Sequence, residues 1–196
     1  MLIEKLRSYQ VILASQSPRR KQLLEDMGLK FVIQPVHIDE SYPPHLKSYE
    51  IALYLSQSKA QAFNFDELCD NCLIIAADTI VWQDDQMLTK PADGDDAKRI
   101  LNQLSGNRHE VITGVTFRTF EKVRSFYSIT KVYFRHLTAE EIEFYIVNYR
   151  PFDKAGAYGI QEWIGYIGIE RIEGSYFNVV GLPVQKFYTE LLDFLQ

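Results

Sequence analysis

Residues 11–24 read VILASQSPRRKQLL and place the end of a strand next to the start of a helix. The apolar run at 11–13 is typical of a buried strand, and apolar residues resume at helical spacing after residue 20. Ser17 predicts an N-cap, and Pro18 suits the first helical position. A strand that leads directly into a helix predicts an α/β arrangement.

Arg19 and Arg20 follow in the first turn of that predicted helix. The helix dipole is positive at this end, so cations are disfavoured there by a few tenths to about 1 kcal/mol. Backbone N–H groups at a strand–loop–helix junction form an anion site, and a bound phosphate chain would be shared between them and the guanidinium groups. The pair therefore indicates either a phosphate site or two solvated side chains. It is not a P-loop, because the Gly-rich run and the Lys-Ser/Thr pair are missing.

The stretch LIIAADTIV, residues 73–81, carries a second candidate site. Its five leading apolar residues predict a central strand buried on both faces, and Asp78 follows them directly. A buried carboxylate needs an ion pair, hydrogen bonds or a metal. A hairpin turn predicted at Asp84-Asp85 sets Lys90 opposite residues 78–80. Asp78 and Lys90 could therefore form a structural ion pair or a catalytic pair, and capping of a neighbouring loop by Asp78 remains open.

A third stretch, DKAGAYGIQ at residues 153–161, combines charged residues with glycines. Gly156 and Gly159 allow close approach of the backbone to another group. Gln161 offers an amide that can both donate and accept hydrogen bonds. The pattern fits a substrate-binding segment or an ordinary turn.

Strand and helix signals alternate along the rest of the chain, and no linker, repeat or low-complexity segment separates them. Gly28 and Gly106 are expected to close helices, Asp93 and Thr138 to begin them, and Pro183 to lead the last one. Helices are predicted at 18–27, 47–64, between Asp93 and Gly106, at 139–148 and after 183. Strands are predicted at 10–14, 31–33, 73–77, 109–119 and 123–134, with 153–168 irregular. The sequence therefore predicts a single α/β domain over residues 1–196, built on a mixed sheet.

Composition excludes several classes of protein. A hydrophobic fraction of 46% and an aromatic fraction of 13% are typical of a folded domain. The net charge of −5 argues against a nucleic-acid polymer as partner, although it allows a single nucleotide. The chain lacks an apolar run of 18 residues, and residues 1–5 lack the apolar core of a signal peptide. A cytoplasmic protein is expected.

Cys69 and Cys72 form a C-x-x-C pair, which occurs in zinc sites and in redox motifs. The pair precedes an apolar strand and the histidines are scattered, so two reduced cysteines in a loop are expected. A redox or zinc module stays open as an alternative.

Together these stretches resemble the Maf family of nucleoside triphosphate pyrophosphatases. The matching segments occur in family order at residues 13–20, 77–79, 90–91, 104–106 with His109, 153–161 and 174–183. The resemblance implies an inosine-triphosphatase-like fold, with an elongated mixed β-sheet flanked by helices and two lobes around a cleft. It also implies hydrolysis between the α and β phosphates, which yields a nucleoside monophosphate and pyrophosphate.

The resemblance further implies roles for individual residues. Asp78 matches the proton acceptor, and the positions associated with substrate choice are Arg19, Thr79 and Gln161. Polar positions that match the lining of the cleft are Ser15, Arg20, Glu40, Lys59 and Lys90, and Lys90 is also expected to stabilise charge during the reaction. A divalent metal, Mg²⁺ or alternatively Mn²⁺, is expected to bridge phosphates and carboxylates, with Asp78 and Glu40 as candidate ligands.

Within the family, the chain resembles the enzymes that act on dTTP and UTP. The KAGAYGIQ run at 154–161 distinguishes it from the Maf group that acts on 7-methyl-GTP. The expected activity is that of a pyrophosphate-releasing hydrolase of dTTP, UTP and, as further candidates, modified pyrimidine nucleotides. The alternative is a non-catalytic nucleotide-binding regulator of cell division and septum formation, which would not need Asp78. The resemblance also allows a homodimer.

Overall fold

The computed structural model describes residues 1–68 and 71–196. The helices are α1 (Leu2–Lys5), α2 (Pro18–Asp26), α3 (Tyr49–Gln61), α4 (Gly94–Leu104), α5 (Ala139–Tyr149), α6 (Trp163–Gly168), α7 (Tyr176–Val180) and α8 (Val184–Phe194). The strands are β1 (Gln10–Leu13), β2 (Val32–Ile33), β3 (Cys72–Gln83), β4 (Gln86–Leu88), β5 (Arg108–Arg118), β6 (Val123–Phe134) and β7 (Ile169–Glu173). Short 3₁₀ turns occupy Leu6–Ser8, Phe65–Glu67 and Ala155–Ala157.

The strands of the described residues form one seven-stranded mixed sheet. Its order is β2-β1-β3-β5-β6-β7, with β4 paired to β3 beside that path. Strand β1 runs parallel to β2 and β3, whereas β4 is antiparallel to β3 and β7 is antiparallel to β6. Strand β3 is interior, and its residues 73–77 are at most 1% exposed. The α/β fold with a mixed sheet and a doubly buried central strand is thus confirmed.

The chain divides into two compact units. The first comprises Met1–Asp78, Thr113–Ser128 and Gly181–Gln196, and the second comprises Thr79–Ile112 and Ile129–Val180. Strands β3, β5 and β6 each contribute residues to both units, while every helix belongs to one unit.

In the first unit, helix α3 packs closely on strand β5 because Gly114 has no side chain. A Cβ atom at Gly114 would lie 2.3 Å from the backbone oxygen of Ala52, well inside contact distance. Beside this contact, Ser56 Oγ lies 3.0 Å from Thr116 Oγ1, which in turn lies 3.0 Å from Ser125 Oγ. These hydroxyl groups satisfy one another as α3 is buried. Small residues and a chain of hydroxyls therefore fix α3 against β5.

In the second unit, the two longest helices begin at the caps that the sequence predicts. The Asp93 side chain accepts a hydrogen bond from the backbone N–H of Asp96 at 2.9 Å, at the start of α4. Thr138 and Glu141 form a reciprocal capping box at the start of α5. A cap of this kind contributes about 1 kcal/mol of stability. Both predicted helix starts are confirmed.

The structure differs from the predicted elements mainly at their ends and edges. Helix α3 is shorter than the predicted 47–64, because the chain leaves the helix at Ala62 and forms a 3₁₀ turn at Phe65–Glu67. Strand β7 was not predicted. Its sequence IERIE carries three charged residues, and it pairs on one side with β6 at the end of the strand order. A short edge strand with charged side chains has too weak a pattern to be recognised.

Cys72 differs from its prediction. It is the first residue of β3 and is 1% exposed, so it lies in a strand and not in a loop. The part of the chain that the structure describes contains no free cysteine, so a reduced thiol at this position is also wrong. Cys69 lies outside the described residues, so the alternative of a redox or zinc module at Cys69 and Cys72 falls outside them as well.

None of the described helices is both long enough and apolar enough to cross a bilayer.

Candidate active site

The start of helix α2 is built as its sequence predicts. The chain leaves β1 at Leu13, and Ser17 caps the helix by accepting a hydrogen bond from the backbone N–H of Arg20 at 3.4 Å. Pro18 takes the first helical position. Ser15 Oγ accepts a further bond from the Ser17 N–H at 3.2 Å, which fixes the loop between strand and helix. The predicted strand–loop–helix junction is confirmed.

The two arginines of this turn have different environments. Arg20 is buried, whereas Arg19 is half-buried. Arg20 Nε donates to the backbone oxygen of Gly181 at 2.9 Å, and Arg20 Nη1 donates to Ser15 Oγ at 3.1 Å. These bonds direct the guanidinium towards the interior of the first unit. The Arg20 guanidinium is therefore not solvated, and the alternative of two solvated side chains is wrong for Arg20.

Charge around Arg20 is mixed. Burial lowers the pKa of the Arg20 guanidinium from its ordinary value, the Asp78 carboxylate raises it, Arg19 lowers it and Glu40 raises it. A guanidinium keeps its proton in proteins even under such conditions. Arg20 is therefore a fixed positive charge beside two carboxylates.

Lys59 brings those two carboxylates together. It lies in the last turn of α3, and its Nζ is 2.5 Å from Asp78 Oδ1 and 3.0 Å from Glu40 Oε1. The side chains of Lys59 and Asp78 are 14% and 13% exposed, while that of Glu40 is 55% exposed. The first pair is thus largely removed from water, and the second reaches the surface. The cluster has a closed end at Asp78 and an open end at Glu40.

Asp78 forms an ion pair with a lysine of helix α3, which the predicted hairpin did not suggest. The β3–β4 hairpin is confirmed: Val81 lies opposite Leu88, and Asp84 and Asp85 occupy the turn with φ of 48° and 60°. Strand β4 ends at Leu88, so the pairing stops before Lys90, which is exposed. The ion pair that Asp78 forms is with Lys59 of α3. The described ladder ends before Lys90, so the pairing of Asp78 with Lys90 stays a prediction.

The nine predicted site residues separate between the two units. The first unit contains Ser15, Arg19, Arg20, Glu40, Lys59 and Asp78. The contacts and charge interactions above group Ser15, Arg20, Glu40, Lys59 and Asp78, and Arg19 adds a charge beside Arg20. The second unit contains Thr79, Lys90 and Gln161. Thr79 directly follows Asp78 in β3, and Gln161 is exposed in the turn before α6.

The segment that carries Gln161 is held by residues that the sequence analysis did not single out. Lys154 is 8% exposed, and its Nζ lies 2.6 Å from Asp153 Oδ1 and 3.1 Å from Glu162 Oε1. The Tyr145 hydroxyl donates to Glu162 Oε2, and it accepts a hydrogen bond from the Gly159 N–H at 3.0 Å. A buried tyrosine on α5 reads as a core residue in the sequence, so no local signal marks this network.

Gly181 contacts the cluster through its backbone, a contact that the sequence analysis did not predict. It accepts from Arg20 through its backbone oxygen, across 161 residues of chain. A backbone acceptor leaves no side-chain signal in the sequence.

The donor set of the cluster fits the expected divalent metal. Carboxylate oxygens are the ligands that Mg²⁺ uses in proteins, often one or two of them together with substrate phosphates. Asp78 and Glu40 supply such oxygens, and both contact Lys59. Among residues 1–68 and 71–196, no group of three or more His, Cys, Asp or Glu side chains is arranged to hold a metal. The carboxylates therefore suit a metal that arrives with phosphates better than one in a protein-only cage.

Comparison with known proteins gives a consistent result over nearly the whole chain. A relative from Cytophaga hutchinsonii, named dTTP/UTP pyrophosphatase, is 53% identical over 97% of this chain and 87% of its own. Relatives of the same name from Phocaeicola vulgatus and Flavobacterium johnsoniae are 52% and 47% identical, each over 97% of this chain and 98% of their own. Residues 10–194 match the family described as Maf-like protein. The chain therefore belongs to the Maf-like protein family.

Proposed function

We propose that this chain is a nucleoside triphosphate pyrophosphatase that hydrolyses dTTP and UTP to the monophosphate and pyrophosphate. The observation that carries the proposal is the charged cluster of the first unit, where Arg20 and Lys59 meet Asp78 and Glu40 beside the start of helix α2. With Arg19, the cluster has three cations for two carboxylates, an excess of positive charge that suits a polyphosphate. The names of relatives about half identical over nearly their full length support the same activity.

The cluster supplies the groups that this hydrolysis needs. A water oxygen bonds to the α-phosphorus, the bond from that phosphorus to the oxygen bridging to the β-phosphate breaks, and pyrophosphate leaves with the bridging oxygen. Asp78 accepts a proton from the water. Lys59 holds Asp78 Oδ1 at 2.5 Å, which fixes the direction of the carboxylate. Arg20, with Lys90 of the second unit, stabilises the charge on the phosphate oxygens.

The metal belongs to the same proposal. Asp78 and Glu40 would hold Mg²⁺ or Mn²⁺ together with phosphate oxygens, and the metal would supply charge neutralisation on the leaving pyrophosphate. Both carboxylates also contact Lys59, so a bound metal would share them with the Lys59 ammonium.

Choice of base is assigned to Gln161, with Arg19 or Thr79. Uracil and thymine share an N3–H donor between two carbonyl acceptors, so a glutamine amide can accept from N3–H and donate to one carbonyl. Cytosine has an acceptor at N3 and an amino donor beside it, the reverse of uracil and thymine. A site with a fixed amide rejects cytosine, because polar groups buried at the contact are then left without hydrogen bonds. The thymine methyl group needs only a small apolar space, so dTTP and UTP differ by at most about 1–3 kcal/mol.

The setting of the proposed enzyme follows from its substrate. We place it in the cytoplasm, where nucleoside triphosphates are the available substrates, and assign it no nucleic-acid polymer, because the net charge is −5. A homodimer is compatible with this function and is not required by it.

The test is a panel of dTTP, UTP, CTP and GTP with Mg²⁺, assayed separately for pyrophosphate and phosphate. We expect pyrophosphate from dTTP and UTP, and Asp78→Asn should lower kcat by about a hundredfold, because asparagine keeps the shape but cannot accept the proton. Asp84→Asn is the matched control, since it makes the same change in an exposed hairpin turn where asparagine is tolerated. Nucleotide binding without pyrophosphate release would instead support the non-catalytic regulator.

A further inference from the structure

The Tyr145 hydroxyl contacts both ends of the turn that carries Gln161. A backbone hydrogen bond from the Glu162 N–H to the Gly159 oxygen, 3.0 Å long, defines the turn Gly159–Glu162. The Tyr145 hydroxyl contacts both ends of it, because it accepts from the Gly159 N–H and donates to Glu162 Oε2. Gln161 lies between these two anchors, so its backbone cannot rotate unless one of them opens.

Gly159 leaves room for the Glu162 carboxylate. A Cβ atom there would lie 2.9 Å from Glu162 Cδ and 3.1 Å from Glu162 Oε2. These distances are shorter than side-chain contacts normally are, so the Glu162 side chain would have to shift to admit a larger residue. The glycine thus lets the Glu162 side chain fold back over its own turn.

The other groups around the turn hold the same geometry. Lys154 Nζ contacts Glu162 Oε1, the carboxylate oxygen that Tyr145 does not use, at 3.1 Å. The Tyr166 hydroxyl donates to the backbone oxygen of Gln161 at 2.6 Å. The Gln161 backbone is therefore fixed from both sides while its side chain stays exposed.

Tyr145 is well suited to hold the turn. It is 0% exposed and lies in the middle of helix α5, so its ring is immobilised by the core of the second unit. Burial, and then its hydrogen bond to Glu162, raise the pKa of the Tyr145 hydroxyl above its ordinary value. The hydroxyl therefore remains a donor at physiological pH.

We propose that Tyr145 is a positioning residue for base selection, which fixes the direction of the Gln161 amide by closing the turn Gly159–Glu162. The proposal rests on the proposed function, in which the Gln161 amide reads the pyrimidine. Tyr145 contacts the turn and not the base, so it acts through Gln161. With the turn closed, the Gln161 side chain projects from a fixed backbone, from which its amide acceptor can reach N3–H. With the turn open, that backbone shifts, and amide orientations that pair with cytosine become accessible as well.

The experiment compares Tyr145→Phe with Tyr149→Phe, which removes the same atom one turn further along α5. The two rings stack 5.1 Å apart, so the control shares the neighbourhood. We expect Tyr145→Phe to lower the ratio of kcat/KM for UTP over CTP by about tenfold, through a higher KM for UTP and faster use of CTP. Tyr149→Phe should leave that ratio within about twofold of the wild type.

A double-mutant cycle separates positioning from a general structural effect. In a Gln161→Ala background, Tyr145→Phe should change the UTP/CTP ratio by less than about twofold, because the group that Tyr145 directs is gone. An equal loss of selectivity in both backgrounds would overturn the proposal, as would an unchanged ratio in the single variant.

Two further variants keep the proposal testable if Tyr145→Phe does not fold. Glu162→Gln retains an oxygen that can accept from Tyr145, although its NH₂ group then faces Lys154, so it should keep more of the wild-type UTP/CTP ratio than Glu162→Ala. Equal ratios for these two variants would contradict the proposal. A wild-type enzyme that releases no pyrophosphate from any triphosphate would refute the proposed function itself, whereas selective wild-type activity with unaltered selectivity in the variants would refute only the role of Tyr145.

Discussion

Arg20 shows how a single residue can sit against the local preference of its helix. The dipole at the start of α2 disfavours a cation by about 1 kcal/mol at most. A buried charge without partners is several times worse than that. The Gly181 oxygen and Ser15 Oγ accept from the guanidinium. Burial lowers the pKa of Arg20, and the nearby Asp78 and Glu40 carboxylates oppose that lowering. Tertiary partners therefore outweigh the helix dipole.

Arg20→Ala should weaken the binding of a non-hydrolysable dTTP analogue by about 1.5–3 kcal/mol, because a charge-assisted contact to phosphate is lost. The affinity for thymidine should change much less, since it has no phosphate. Lys21→Ala is the matched control: it removes one positive charge from the same turn, but Lys21 is exposed and pairs only loosely with Glu25, at 3.7 Å. Calorimetric titration of both ligands checks this. An equal loss for nucleoside and triphosphate would rule out a phosphate contact at Arg20.

At this scale the sequence predicts which residues are unusual better than what they contact. Asp78 stands out because it follows five apolar residues of a buried strand, and the structure confirms its burial. Its partner Lys59 lies on α3, and only the resemblance to the Maf family pointed to it. The contact depends on how α3 is rotated over the sheet, which Gly114, Ser56 and Thr116 decide through long-range packing.

Helix α3 is the element on which the first unit's cluster depends most. Lys59 lies in its last turn, where backbone carbonyls lack helical partners. Arg118 of β5 donates from Nη1 to the oxygens of Ala60 at 2.8 Å and Phe63 at 3.1 Å, and its guanidinium lies 4.7 Å from the Phe65 ring centroid. A cation at a helix C-terminus also complements the dipole. Arg118 therefore holds the turn that presents Lys59.

Arg118→Met should lower the free energy of unfolding by about 1–3 kcal/mol, because methionine keeps the apolar stem but leaves two carbonyls without their donor. Turnover should fall as well, since Lys59 directly precedes Ala60. Arg124→Met is the control: Arg124 is 40% exposed and forms a surface ion pair with Glu190, which is worth at most about 1 kcal/mol. Urea denaturation of both variants measures their free energies of unfolding. A loss for Arg118→Met no larger than that of the control would show that the cap contributes little.

Elements with local signals were predicted well, and elements fixed from a distance were not. The Asp84-Asp85 turn and the caps at Asp93 and Thr138 each depend on a few adjacent residues, and all three are confirmed. The end of α3 depends on Arg118, more than 50 residues later in the chain, and the sequence analysis extends that helix too far. The contacts of Tyr145 with Gly159 and Glu162 also join separate parts of the chain, so no local pattern predicts them.

In the whole molecule, the proposed chemistry is divided between the two units. The first unit holds the charged cluster around Asp78, and the second holds the turn that carries Gln161. The chain passes directly from one unit to the other between Asp78 and Thr79, within strand β3. Both the Asp78 cluster and the Gln161 turn therefore depend on a stable fold. Buried polar groups in either unit determine how that stability changes with pH.

His109 predicts how that stability depends on pH. It is 1% exposed in β5, its Nε2 lies 2.7 Å from the Tyr158 hydroxyl, and its ring stacks on Phe134. Among the described residues its Nδ1 has no hydrogen-bond partner. Burial lowers the pKa of His109 to about 3, from 6.5 for an exposed histidine. The folded protein therefore contains a neutral imidazole, while the unfolded chain takes up a proton at this site below about pH 6.5.

The free energy of unfolding should consequently fall as the pH drops from about 6.5 towards 3. The unfolded state binds one more proton in this window, so His109 alone contributes a slope of up to about 1.4 kcal/mol per pH unit, and its contribution is fully present above pH 6.5. His109→Gln should flatten the slope by that amount, because glutamine can still bond Tyr158 but does not titrate. His45→Gln, a change at an exposed histidine, should leave the slope as it is. Urea denaturation at pH 7.5, 6.5 and 5.5 measures all three proteins, and equal slopes for wild type and His109→Gln would mean that His109 does not set the acid sensitivity of the fold.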